Sequence, residues 1–120
     1  MATIARIKLS ESTDGRGIAV VATSTGGTSI HEGPATVADY DEIWLWASNF
    51  NTSAETLVLE WGGTTAIGDH FLTVIQPNET VLVAPGWVLK GNSTELLVKA
   101  FSTTTNKVNI TGYVNRIDAA

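Results

Sequence analysis

The chain reads as an all-β, single-domain β-sandwich of jelly-roll type, built from about eight to ten short antiparallel strands. Three observations predict this. Short β-branched and aromatic runs alternate with clusters of Gly, Pro, Asn, Asp and Ser-Thr. No stretch keeps a 3.6-residue apolar period beyond two turns, so residues 35–42 have room for one helical turn at most. The 120 residues contain no linker and no internal repeat, which fits one domain.

In chain order, strands are expected over 3–9, 16–23, 28–32, 42–49, 55–61, 70–76, 79–84, 86–90, 95–102 and 107–117. Turn chemistry separates most of them: Asp14-Gly15, Gly26-Gly27, Gly33-Pro34, Asn49 to Ser53, Gly62-Gly63, Pro77-Asn78, Pro85-Gly86 and Gly91-Asn92. Residues 1–15 are expected to form an N-terminal arm or edge strand, and 16–120 the sandwich. The arm carries apolar Ile4 and Ile7 beside basic Arg6 and Lys8, a mixture suited to adding a strand to a neighbouring chain.

The last strand has the cleanest pattern. Val108, Ile110, Gly112 and Val114 alternate with Asn109, Thr111, Tyr113 and Asn115, the period of a half-buried strand. Leu57, Leu59 and Trp61 form a similar inward face, with Glu60 turned the other way. The run Ile43-Trp44-Leu45-Trp46-Ala47 is apolar on both faces. Such a strand is either central to a core or covered by something outside the domain.

Composition narrows the function classes. Hydrophobic residues are 43% of the chain and charged residues 16%, against about 25% charged in an average domain. Few charges then need desolvating when chains lie together. Seven basic residues against twelve acidic give a net charge of −5, and the basic ones stand singly. Nucleic acid and an anionic membrane are therefore not expected partners. There is no cysteine, which excludes disulfides, zinc thiolates and cysteine nucleophiles. No signal peptide is visible, so synthesis in a cytoplasm is expected.

No catalytic, cofactor or metal site is assigned. His31 and His70 sit in no nucleophile motif and are expected to be isolated surface histidines. Asp14-Gly15-Arg16-Gly17 lacks the spacing and the following helix of a phosphate loop. Asp39, Asp41 and Glu42 suit calcium by ligand type but lack a twelve-residue ligand pattern, so an acidic loop is expected. Pairing His31-Glu32 with Asp69-His70 would offer a zinc site that no spacing demands. The sequons at Asn51, Asn78, Asn92 and Asn109 are what a Thr- and Ser-rich chain carries by composition.

Aromatic residues give the strongest remaining signal. Trp44, Trp46, Trp61 and Trp87 are many tryptophans for this length, and most are expected in the core or at a subunit interface. Trp44 and Trp46 share a strand face and are the pair expected to meet another chain. The candidate interface residues are thus Ile4, Arg6, Ile7, Trp44, Trp46 and Trp87. Exposed tryptophans also stack on sugar rings, so a carbohydrate-binding module using surface glycans is the alternative from another class.

The segments Asp41-Glu42-Ile43-Trp44-Leu45-Trp46-Ala47, Leu59-Glu60-Trp61-Gly62-Gly63-Thr64, Val81-Leu82-Val83-Ala84-Pro85-Gly86 and Ile110-Thr111-Gly112-Tyr113-Val114-Asn115-Arg116-Ile117 resemble the head decoration, or cement, proteins of tailed bacteriophages. The similarity runs in order over most of the chain from about residue 16. The resemblance implies a structural virion subunit, often a homotrimer, that binds the major capsid protein on the outer capsid surface and bridges capsomers. It supplies no catalytic residues. Small tail, neck or fibre-associated β-proteins of the same viruses give a similar pattern.

Overall fold

The computed structural model describes residues 2–119; the outer limits of the expected domains, Met1 and Ala120, lie outside the described residues. Nine strands form: β1 (Thr3–Lys8), β2 (Ile18–Ala19), β3 (Thr28–Glu32), β4 (Tyr40–Asn49), β5 (Glu55–Trp61), β6 (His70–Ile75), β7 (Thr80–Lys90), β8 (Leu97–Ser102) and β9 (Val108–Asp118). No helix occurs among the described residues. All pairings are antiparallel.

Sheet I has the order β1-β9-β4-β7, with β2 also on β9, and sheet II the order β3-β8-β5-β6. The pairs β2 with β9, β3 with β8, β4 with β7 and β5 with β6 describe one long hairpin whose tip is the turn after β5. Rolling that hairpin lays β4 on β9 and β5 on β8. The result is a jelly-roll sandwich.

The core lies between the sheets, where period-2 alternation points one side of each strand. Ile43, Leu45 and Ala47 of β4, Leu57 and Leu59 of β5, and Ile110 and Val114 of β9 are all buried. Each large aliphatic side chain so buried contributes about 1.5–3 kcal/mol. Gly112 breaks the row because a Cβ there would overlap the Trp44 carbonyl oxygen on the adjacent strand.

Two expectations change. The expected strand over 16–23 shrinks to Ile18–Ala19: Val20 still donates its amide to the Val108 carbonyl at 2.8 Å, but the Val21 and Ala22 amides turn to the Thr28 hydroxyl, each at 3.0 Å, and end the pairing with β9. The turn expected at Pro85-Gly86 is absent, and β7 runs straight through it. Mid-strand proline is tolerated on edge strands and at bulges, and Pro85 is at both. Ile43 pairs with Trp87 but Trp44 with Pro85, so Gly86, at φ 75°, is the extra residue. A second shift, between Leu45 and Trp46, leaves Val83 extra. These bulges turn Trp87 inward while Leu82 and Val88 face out.

Candidate interaction face on sheet I

The outer face of sheet I can be read row by row from strand register. Ile4, Ile117, Tyr40 and Lys90 are cross-strand neighbours; the next row is Arg6, Asn115, Glu42 and Val88. Then come Lys8, Tyr113, Trp44 and Pro85, followed by Thr111, Trp46 and Leu82. Most of these side chains are apolar; Trp44, Trp46, Tyr113 and Ile117 are half-buried among their neighbours, and the rim is more open. Ile4 is 70% exposed, Val88 53% and Leu82 44%.

Three rings make the centre. Trp44 lies 6.5 Å from Trp46 and 6.3 Å from Tyr113 between centroids, and Trp46 lies 6.1 Å from Tyr113. Such aromatic contacts add about 0.5–1.5 kcal/mol beyond area burial. Trp44 and Trp46 are two apart on β4, and β9 supplies Tyr113 directly opposite Trp44. Gly86 permits the fit, since a Cβ there would sit 2.9 Å from the Trp44 ring. The Arg6 guanidinium caps the cluster, 4.6 Å from the Tyr113 ring centre.

The polar side chains of this face are tied to one another. Arg6 Nε donates to Asn115 Oδ1 at 3.3 Å, and Asn115 Nδ2 donates to Glu42 Oε1 at 3.1 Å. Trp44 Nε1 donates to the same Glu42 oxygen at 2.8 Å. The Trp44 and Asn115 bonds hold the Glu42 carboxyl below its ordinary value. A surface whose polar groups are already oriented loses little entropy when it meets a partner.

The expected interface residues divide between this face and the interior. Ile4, Arg6, Trp44 and Trp46 stand on it. Ile7 and Trp87 are half-buried and pack against the core. Trp87 lies between the sheets, 5.5 Å from Trp61 and 4.8 Å from Phe71. Trp61 Nε1 donates to the Val88 carbonyl at 3.0 Å, joining sheet II to the edge of sheet I. Strand β1, read as an arm or edge strand, pairs with β9 of its own chain. Tyr113, Asn115 and Glu42 were not singled out as interface residues; period-2 alternation on β4 and β9 was the available signal for them.

The titratable groups below the surface are structural. His31, expected on the surface, is 1% exposed, because β3 places it beside Asp41. Its Nδ1 accepts the Ser10 amide at 3.0 Å, so Nε2 carries the proton donated to Asp41 at 2.7 Å. Arg116 donates Nε and Nη2 to the same carboxylate at 2.8 and 2.9 Å. Burial pushes the Asp41 carboxyl up, but the Arg116 and His31 bonds outweigh it and hold the group below its ordinary value. The Asp41 bonds raise Arg116 in turn. Asp41 points inward and Glu42 outward, while Asp39 accepts the Ala119 amide at 3.2 Å, so the acidic run does not converge.

His70 is turned toward Glu60 at 3.2 Å and the Thr64 carbonyl at 3.1 Å. It does not meet His31. Among the described residues, no group of three or more His, Asp or Glu is placed to hold a metal ion. A cavity of about 290 Å³ lies between the 62–64 and 92–97 loops, with Lys99 and Glu95 in its wall. It contains neither histidine.

No family model and no curated protein matches the chain. Among solved structures, the chain is similar to one of Bacillus endospore appendages, described as a novel family of disulfide-linked pili. Identity is 16% and the TM-score 0.47, over 98% of this chain and 88% of that one.

Proposed function

We propose that this protein is a structural virion subunit that binds the outer surface of a tailed-phage capsid through the outer face of sheet I and stabilises the assembled shell. The observation that carries this reading is the Trp44-Trp46-Tyr113 cluster, half-buried on the outer face of sheet I and framed by polar side chains that bond one another. Aromatic clusters of this kind are what alanine scanning finds at the energetic centre of protein interfaces. The order of the segments along the chain supports the capsid as partner through their resemblance to decoration proteins. The mechanism is linkage: a subunit that binds only the assembled shell stabilises it by an amount set by concentration over Kd.

Co-sedimentation with expanded phage heads stripped of decoration tests this. The wild-type chain is expected to sediment with the heads and to delay their heat disruption. Trp44→Ala/Trp46→Ala should lose that binding, with the cost of at least about 2 kcal/mol usual for central aromatic anchors. Undiminished binding by the double variant refutes the assignment of the face.

The same trio favours a second reading, carbohydrate binding, because Glu42 and Asn115 supply hydrogen-bonding groups beside three adjacent rings. Quenching of tryptophan fluorescence by soluble oligosaccharides, with no binding to heads, selects it.

A further inference from the structure

Two open sheets leave four edges, and an open edge is a template for another strand unless something blunts it. Three are blunted. Strand β7 carries Pro85 and two register shifts. Strand β3 has five residues, slips register between Ser29 and His31, and runs into Gly33-Pro34. On the far side of β9, β1 carries Arg6 and Lys8, and β2 has only two residues.

Strand β6 carries no proline, cation or register shift within its six residues, although like β3 it is followed two residues on by a proline, Pro77. His70-Phe71-Leu72-Thr73-Val74-Ile75 holds no Pro, Gly, Lys, Arg, Asp or Glu, and pairs with β5 in unbroken register. Its one titratable group, His70, is engaged with Glu60 and Thr64. Leu72 is 69% exposed and Val74 59%. No strand of sheet II lies beyond β6.

The register also says which backbone groups face outward. Trp61 donates its amide to the Asp69 carbonyl at 2.8 Å, and bonded pairs alternate along an antiparallel ladder. Phe71, Thr73 and Ile75 therefore exchange their bonds with β5. The N–H and C=O of Leu72 and Val74 point away from it, where only another strand satisfies them in line.

We propose that β6 pairs with β6 of a second copy of this chain, antiparallel about a twofold axis at Thr73, so that the two copies of sheet II run on as one. With the axis there, Leu72 stands opposite Val74 of the second copy, and Val74 opposite its Leu72. Both are bonded pairs by the alternation above, and the contact is self-complementary as a twofold interface must be. The outer row Phe101, Val58 and Leu72 then continues onto the second copy's Val74. The second copy's other edges are excluded as partners by their proline, bulges, brevity or cations. The contact lies on the sheet opposite the aromatic face and does not depend on what that face binds.

Native mass by light scattering across a dilution series tests it, with Leu72→Lys, Val74→Pro and Trp44→Ala/Trp46→Ala beside the wild-type chain. Lysine at a site already exposed leaves the monomer intact, and proline at Val74 removes only an outward N–H. The wild-type chain and the double tryptophan variant should be dimers. Leu72→Lys and Val74→Pro should raise the dimer Kd at least about tenfold, since each places like charges or a missing donor at both symmetric positions. If the proline variant unfolds, Leu72→Lys decides alone. A wild-type monomer, a trimer, or a dimer indifferent to Leu72→Lys overturns the proposal. A dimer lost only in the tryptophan variant also overturns it, and moves self-association to sheet I.

Discussion

Glu60 gives the sharpest test of how this sandwich is held together. It lies on the outward side of β5, yet is fully buried, because the segment carrying Thr25 and Gly27 folds over it. Oε2 accepts from Thr25 Oγ1 at 2.6 Å and from His70 Nε2 at 3.2 Å; Oε1 accepts the Gly27 amide at 2.7 Å. Burial raises this carboxyl, but the Thr25, Gly27 and His70 bonds outweigh it and hold the group below its ordinary value. Glu60→Leu removes all three bonds. Thr25 retains the Thr64 carbonyl at 3.2 Å, and His70 also has that oxygen, but the Gly27 amide is left without a partner. Three bonds at a net value of roughly 1 kcal/mol each, stronger to a charged acceptor and offset by relief of carboxylate burial, give a loss of about 2–4 kcal/mol. For a domain of this size that is a fall in Tm of roughly 10–20 °C. Glu60→Gln should lose about half as much, because its carbonyl can still face Gly27 and the Thr25 hydroxyl can turn to accept. Thermal unfolding by near-UV circular dichroism gives the ranking, and amide exchange at Gly27 gives the local effect. A leucine variant melting within about 3 °C of wild type would refute the claim that this carboxylate pins the loop.

The remaining predictions concern acid and packing. Asp41, Glu55 and Glu60 all have folded-state carboxyls below their ordinary values of 3.8, 4.5 and 4.5. A depressed carboxylate contributes stability that is present above its unfolded value and lost as pH falls through the folded value. For these three groups, urea midpoints should be level from about pH 7 to 5 and drop below about pH 4; a drop beginning near neutrality would implicate other groups. Gly112→Ala drives a Cβ into the Trp44 carbonyl oxygen and to 3.1 Å from the Leu45 Cα, so β4 and β9 must part. It should cost about 1–3 kcal/mol, whereas Gly68→Ala, with nothing within 4 Å, should stay within about 0.5. Equal Tm values for the two variants would show that the sheet absorbs the extra carbon.

Much of the fold was legible because period-2 patterns and turn residues act locally. The alternation through Val108, Ile110 and Val114 placed β9, and Asp14-Gly15 marked a turn whose residues both have positive φ. Pro85-Gly86 misled for a tertiary reason: the pair reads as a turn unless β7 is known to be an edge strand that bulges against β4. His31 misled similarly, since its burial depends on Asp41 and Arg116, ten and 85 positions away in sequence. The pairing of Trp44 with Trp46 was visible from their spacing on one strand. Tyr113 was not, because strand order decides which strand lies beside β4. The openness of β6 depends on the same knowledge, since an uncharged β-branched run reads alike in the middle of a sheet and at its rim.

The aromatic face and the β6 edge contrast with an interior whose polar groups are all satisfied. Among the described residues, no buried side-chain nitrogen or oxygen lacks a hydrogen-bond partner. Glu55 shows the habit: it is 1% exposed, and takes Asn51 Nδ2 and the Thr104 amide, each at 2.8 Å, so one carboxylate ties two turns to β5. A chain that satisfies its interior this closely and blunts three of its four edges has means to cover an aromatic face and a fourth edge as well. The two openings lie on opposite sheets, so contacts at both can be made at once. Weak contacts made together multiply through effective concentration, by about a hundred- to ten-thousand-fold over either alone. A subunit gripping a shell by sheet I and its neighbour by β6 would therefore hold an assembled lattice strongly and a free monomer hardly at all. That asymmetry is the requirement for a protein that stabilises an assembly without trapping its unassembled parts.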